Sequence, residues 1–290
     1  MSVQREWRVH IGAHKTATTH FQGLLRQVSA QVEARGGAGL LKESVRRPAR
    51  RSQRHLQGVR RISNDFLVTL AGKRLRRQTA GSQLVVASDE DLLGDMAHLL
   101  GEQFYPNLAG LDFVRRLAGG EPLSLYISIR GYDGLLTSTC FQMLRRFSDA
   151  RERVLTAAER VAAGGGWPEL FDRISRRLPG VPITFWMQER YAAETRAIIE
   201  GFLGITGLDL AQLDRPERTR SPSAAALPEV EALDPELSPD ARAARVREIY
   251  RKYPADAPAE ILPADVSKVL TERFETDLAE LRARYPELGR

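Results

Sequence analysis

Trp7-Arg-Val-His-Ile11, then Gly12-Ala-His-Lys-Thr-Ala-Thr-Thr19, then Phe21, Leu24, Leu25 and Val28 form the stretch on which the fold turns. Residues 7–11 alternate as a strand does, and the apolar positions of 18–34 recur at helical spacing. A strand that enters a helix through small and polar residues is the opening unit of an α/β sheet. The chain repeats that unit. A short apolar piece at 38–41 reads as a second strand, and Gln83-Leu-Val-Val-Ala-Ser88 as a buried parallel one. Leu123-Ser-Leu-Tyr-Ile-Ser-Ile129 and Ile183-Thr-Phe-Trp-Met187 read as two more. The intervening pattern predicts helices over 62–79, 91–101, 107–118, 132–147 and 189–203, with Gly164-Gly-Gly166 separating two further helical stretches. Residues 45–61 carry Arg46, Arg47, Arg50, Arg51, Arg54, Arg60 and Arg61 with little periodicity, and read as an exposed loop. Strands alternating with helices predict a three-layer α/β fold whose parallel sheet is covered on both faces. Ligands then belong at the carboxyl ends of the strands.

Beyond residue 205 the alternation stops. Residues 211–240 are rich in Pro, Ser, Ala and charge and read as a lid-like excursion, and helices over 239–252 and 265–284 close the chain. The expectation is a single domain over 1–290, with an α/β core over 1–205 and the excursion and C-terminal helices over 206–290. Its 42% hydrophobic and 28% charged residues are ordinary for a globular enzyme. No run approaches the roughly 18 apolar residues of a membrane span. The N-terminus lacks the apolar run of a signal peptide, and the single cysteine, Cys140, cannot form an internal disulfide, so a cytoplasmic setting is expected. The net charge of +6 and pI near 9.7 fit an anionic ligand and equally fit adhesion to nucleic acid. Only five of the 43 basic residues are lysines, and one of them, Lys15, lies in the first loop.

At a helix N-terminus the first N–H groups lack intrahelical partners and the dipole end is positive, so an anion is welcome there. Gly12 allows a tight turn, Lys15 brings an ammonium, and Thr16, Thr18 and Thr19 bring hydroxyls and a helix cap. The bland alternative is a Thr-capped helix after a turn. The nucleotide-triphosphate loop G-x-x-x-x-G-K-[ST] is not matched, because Lys15 follows Gly12 by three and no second glycine precedes it.

"HIGAHKTATTHFQ" resembles the 5′-phosphosulfate loop of sulfotransferases that use 3′-phosphoadenosine 5′-phosphosulfate, especially their bacterial branch. Their usual pattern is a strand followed by Gly-x-x-Lys-[Thr/Ser]-Gly-[Thr/Ser]-[Thr/Ser], which Gly12, Lys15, Thr16, Thr18 and Thr19 match. Ala17 stands where glycine is commoner; if that position takes a positive φ, alanine there is strained. The resemblance implies a P-loop-nucleotide-hydrolase-like fold of the sulfotransferase type. It also implies a 3′-phosphate site made by an Arg at a later strand end and a Ser about eight residues on. "YISIRGYDGLLTSTCFQ" offers Arg130 and Ser138. Arg presents a planar fork matched to phosphate oxygens. The resemblance covers about 7–205 and is specific only in these two donor motifs.

An acceptor hydroxyl must lose a proton, which calls for a base. "VVASDEDLLG" offers Glu90 first and Asp89 next, with His14 a third candidate, although Ser-Asp-Glu-Asp also reads as an N-cap and acidic first turn. Glu189, in "FWMQER", is expected to be structural. Arg218, Arg220 and Ser221 are placed as residues that close over the donor. His10, His20, His55 and His98 form no recognised metal pattern, and the proposed chemistry needs no metal. The acceptor is expected to be a small molecule or carbohydrate, which the sequence does not identify further. Two rivals stand beside this reading. One is a magnesium-dependent nucleotide kinase or NTPase; the other is a noncatalytic binder of nucleic acid or another polyanion through the arginines of 46–61.

Overall fold

Strand side chains alternate between the two faces of a sheet, and here the alternation sorts two cores. The computed structural model describes residues 5–40, 42–54, 58–210, 222–254 and 261–289. Among them β1 (Glu6–His10), β2 (Gly37–Leu40), β3 (Leu84–Ser88), β4 (Leu123–Ile129) and β5 (Ile183–Met187) form one sheet in the order β2-β3-β1-β4-β5. All its pairings are parallel. Trp7, Val9, Val85, Leu125, Ile127 and Phe185 face the larger core, whereas Val86, Tyr126 and Trp186 face the smaller one.

In chain order the helices are α1 (Thr18–Gln27), α2 (Ser29–Glu33), α3 (Lys42–Ser52), α4 (Gly58–Gln78), α5 (Ala109–Ala118) and α6 (Tyr132–Met143). There follow α7 (Ala150–Ala162), α8 (Trp167–Arg177), α9 (Gln188–Leu203), α10 (Leu227–Glu231), α11 (Pro239–Lys252) and α12 (Ala264–Arg284). Helices α1, α2 and α9 cover the smaller core through Phe21, Leu24, Val32, Ile198 and Phe202. The others bury their apolar residues in the larger core. The described C-terminal segments contribute to it through Leu227, Val246, Ile249, Leu270 and Leu281. The chain end also pairs with the β5 edge, where Phe185 N–H donates to Pro286 O at 3.0 Å and Leu288 N–H to Phe185 O at 2.8 Å. That covers one of the two sheet edges.

Topology picks the end of the sheet that matters. From β1 the chain moves toward one edge, through α1 and α2 on one face; from β3 it crosses β1 toward the other edge, through α5 on the opposite face. Adjacent strands β1 and β3 therefore send their exits to opposite faces and leave a crevice at their carboxyl ends. The loop of 11–17 and the turn of 89–92 border it.

Several sequence expectations are corrected. Residues 45–52 of the supposed exposed loop belong to helix α3, because Val45, Pro48 and Ala49 make a buried stripe, and 58–61 belong to α4; His55 lies outside the described residues. The helix read over 18–34 is two, divided at Val28. The helix read over 91–101 is two short 3-10 turns, Glu90–Leu92 and Met96–Leu100, separated where Gly94 takes φ +141°. Helix α6 stops at Met143, short of 147. Within the supposed excursion, Ala226, Leu227 and Val230 are buried, so 222–231 packs down onto the larger core. Arg218, Arg220 and Ser221 lie outside the described residues.

Candidate functional site

The loop after β1 is built on a buried polar ladder. His10 is fully buried, with Nδ1 at 2.8 Å from Ser88 Oγ and Nε2 at 3.2 Å from Ser128 Oγ, so it bridges β3, β1 and β4. Burial pushes its pKa down to about 3, which keeps the ring neutral. It also packs on Trp186 and Phe21 with ring centroids 4.7 Å away in each case. Ser128 in turn meets the Thr16 hydroxyl, and its N–H donates to Gly12 O at 2.6 Å. The strand end and the loop are thus one hydrogen-bonded unit.

Within that unit Gly12 is at φ +105°, and a Cβ there would lie 3.0 Å from Glu90 Cα; both facts require glycine. Lys15 and Ala17 also take positive φ, +65° and +64°. The glycine-like conformation at Ala17 is thus adopted by alanine. Ala17 is the N-cap of α1, and no side chain caps that helix. The Thr hydroxyls expected to do so point elsewhere: Thr16 and Thr18 both donate to Ala13 O, at 2.6 and 3.0 Å. They hold the loop in shape and leave the helix N-terminus open. Thr19 is exposed on the first turn.

Arg130 leaves the end of β4 and donates from Nη1 to Lys15 O at 3.1 Å. Its guanidinium lies over Gly134, where a Cβ would come within 3.0 Å of Nε. Ser138, one turn further along α6 on the same stripe, is buried, and its hydroxyl makes no hydrogen bond among the described residues. Burial, with Arg130 and Arg145 nearby, pushes the Lys15 ammonium down to about 8. Arg145 lies over the Tyr250 ring at 5.5 Å, and its Nε is buried without a partner. None of these three cations forms a salt bridge among the described residues. Glu189 accepts from Gly131 N–H at 2.8 Å and favours the charge of Arg130.

Across the crevice the charges are compensated. Arg46 of α3 grips Asp89 through Nε and through Nη2 at 2.7 Å, and reaches Glu90 Oε1 at 3.0 Å. Arg50 donates to Asp91 Oδ2 at 2.6 Å. Asp89 is also the cap of its 3-10 turn, accepting from Asp91 N–H, as the plainer sequence reading has it. Burial raises Asp89 to about 6 despite Arg46. Asp91 is held below the usual carboxylate range: burial acts upward, but His14, Arg46 and Arg50 outweigh it. The Tyr105 hydroxyl accepts from His14 N–H at 3.0 Å and lies 2.9 Å from Nδ1, and Nε2 faces Asp91 Oδ1 at 3.2 Å. Both ring nitrogens of His14 are therefore engaged within the protein. Glu90 also receives Gln22 Nε2 at 3.3 Å and stands against Gly12. His14, Glu90 and Asp91 present ligand atoms within 4.8 Å of one another and are the residues suited to a cation.

Gly12, His14, Lys15, Thr16, Ala17, Thr18, Glu90, Arg130 and Ser138 therefore gather at one end of the sheet. Sequence reasoning passed over Arg145, although it follows Ser138 by seven residues, two helical turns on. It named Arg46 and Arg50 only as part of a basic exposed loop and a possible polyanion-binding segment, whereas they are spaced i and i+4 on α3 and meet the acidic turn. Asp91 was read only as part of an acidic first turn, and Tyr105 carried no recognisable signal. No family model, curated protein or solved structure matches this chain.

Proposed function

We propose that the chain transfers a sulfuryl group from 3′-phosphoadenosine 5′-phosphosulfate to a hydroxyl or amine of an acceptor. The observation that carries this reading is convergence. Arg130 reaches the Lys15 carbonyl, and Lys15, Arg130 and Arg145 share one neighbourhood without a salt bridge among the described residues. The residues fit a ligand with two anionic ends. The uncapped N-terminus of α1 and Lys15 suit one end; the Arg130 fork and the free Ser138 hydroxyl suit the other. The parallel order with a strand–loop–helix on its central strand supports a P-loop-like sheet of the sulfotransferase type.

In this reading the bound donor supplies an activated sulfur–oxygen bond. Lys15 holds the bridging oxygen, with the helix-end N–H groups and Thr19 around the 5′ end, while Thr16 and Thr18 keep the loop in shape. Arg130 and Ser138 hold the 3′-phosphate. Glu90 takes the acceptor proton: Arg46 contacts both carboxylates, but Asp89 is fully buried in that grip whereas Glu90 keeps some exposure, and both ring nitrogens of His14 are engaged. Calorimetry with adenosine 3′,5′-bisphosphate against AMP and ATP tests it. Preference for the bisphosphate, lost in Arg130→Ala, is expected; equal or tighter binding of ATP defeats it.

The cluster of His14, Glu90 and Asp91 favours a second reading, a magnesium-dependent kinase or NTPase. Against it, Arg46 and Arg50 already neutralise much of that cluster. A magnesium-dependent thermal shift with ATP, and none with the bisphosphate, would establish it.

A further inference from the structure

Helix α4 buries Val68 and Leu75 on one side and turns apolar side chains outward on the other. Ile62, Phe66 and Leu70 fall at i, i+4 and i+8, one stripe on the helix, and are 71%, 66% and 51% exposed. Leu67 beside them is 40% exposed. Together they make a patch on the order of 400 Å², the size at which exposed apolar surface calls for a partner. Lys73 and Arg77 continue the same stripe, and Arg60, Arg61 and Arg74 flank it, all exposed. Asp65 is the exposed acid among the described residues of this helix, and it sits 3.9 Å from Arg61.

We infer that this face of α4 docks on an anionic lipid bilayer, with Ile62, Phe66 and Leu70 entering the headgroup boundary and the surrounding cations meeting lipid phosphates. Charge complementarity selects this occupant. A second copy of the same face would bring the same cations against it, and the patch is about half of the ~800 Å² per partner that a stable dimer needs. A nucleic acid would satisfy the cations but leave Phe66 and Ile62 nothing apolar to enter. An apolar stripe ringed by Lys and Arg fits an interfacial helix, which gains from apolar burial and from anionic headgroups together. No helix among the described residues is long and apolar enough to cross a membrane, so the mode is surface docking.

Co-sedimentation with phosphatidylglycerol vesicles against phosphatidylcholine vesicles tests the inference. The full chain is expected to sediment with the first and not the second. Phe66→Asp with Leu70→Asp is expected to weaken binding at least tenfold, and Lys73→Ala with Arg77→Ala about 30-fold. All four positions are exposed, so thermal melts of the variants should match the parent and exclude misfolding. Failure to sediment with phosphatidylglycerol, or sedimentation that the Phe66 variant leaves unchanged, overturns the proposal. So does a vesicle-free dimer in sedimentation velocity that Phe66→Asp dissociates, or duplex DNA binding that competes with the vesicles yet ignores Phe66.

Discussion

Two turns border the crevice at the carboxyl end of the sheet, and they treat charge in opposite ways. After β3, three consecutive acids meet two arginines, and Asp89 is fully buried against Arg46. After β1, Lys15 is half-buried beside Arg130 and Arg145 with no salt bridge among the described residues. A buried charge that has found its counter-ion is explained by the fold; a cluster of like charges that has not is unexplained until a ligand is supplied. The difference assigns donor binding to the loop and, Glu90 apart, architecture to the acidic turn. It also gives each region a mutational signature of opposite sign.

The largest effect is expected at the compensated turn. Arg46→Ala leaves the Asp89 carboxylate buried without its bidentate partner, and unfolding in denaturant should show a loss of about 3–5 kcal/mol. Little change would mean that the two turns do not differ as described. At the loop the same kind of change should stabilise. Lys15→Met removes an ammonium held at about 8 against an ordinary 10.5, and near pH 7 should gain roughly 1–3 kcal/mol while abolishing turnover. The sign follows from proton counting. Between pH 8 and 10.5 the unfolded parent binds more protons at this site than the folded one, so the parent's stability climbs as pH rises. The gap between parent and variant is therefore full below pH 8 and closes above 10.5. A destabilised Lys15→Met would show that the ammonium has a structural partner after all.

A smaller effect sharpens the boundary of the cationic region. Arg145→Ala should weaken adenosine 3′,5′-bisphosphate binding about tenfold, roughly 1.4 kcal/mol, and raise the Lys15 pKa, read by the NMR titration of its side chain. An unchanged affinity with a raised pKa would make Arg145 a neighbour of the site and not a part of it.

What the sequence revealed follows from the range of the forces involved. Strands β1, β3, β4 and β5 were legible because their signal is local: β1 alternates with period two, and β3 is a short continuous apolar run, as a strand covered on both faces shows. Helix α3 was hidden because its buried stripe is only Val45, Pro48 and Ala49, and its arginines are ordered by acids about forty residues away. Still longer separations, 91 and 77 residues, hid the chain from Tyr105 through His14 to Asp91, which joins two turns and a loop that only tertiary packing brings together. For the candidate site, Lys15, Arg130 and Ser138 were legible as motif positions. The hydroxyls of Thr16 and Thr18 were misassigned, because residue type does not reveal that Ala13 O lies closer to them than the helix end.

The smallest expected effect bears on the loop backbone alone. Ala17 holds φ +64° and ψ +21°, the left-handed region, where a Cβ crowds the neighbouring carbonyl. Such a residue costs about 1 kcal/mol relative to glycine, so Ala17→Gly should raise the melting temperature by a few degrees. Glycine also makes the unfolded chain more flexible, which subtracts part of that gain. The net stabilisation is therefore expected at about 0.5–1 kcal/mol. No charge changes, so the difference should be flat across pH 6 to 10, unlike that of Lys15→Met. A destabilised Ala17→Gly would mean that the methyl group, packed at the edge of the smaller core, contributes more than the left-handed backbone costs. The loop would then be held open by apolar packing, and the contrast between the two turns would rest on more than charge.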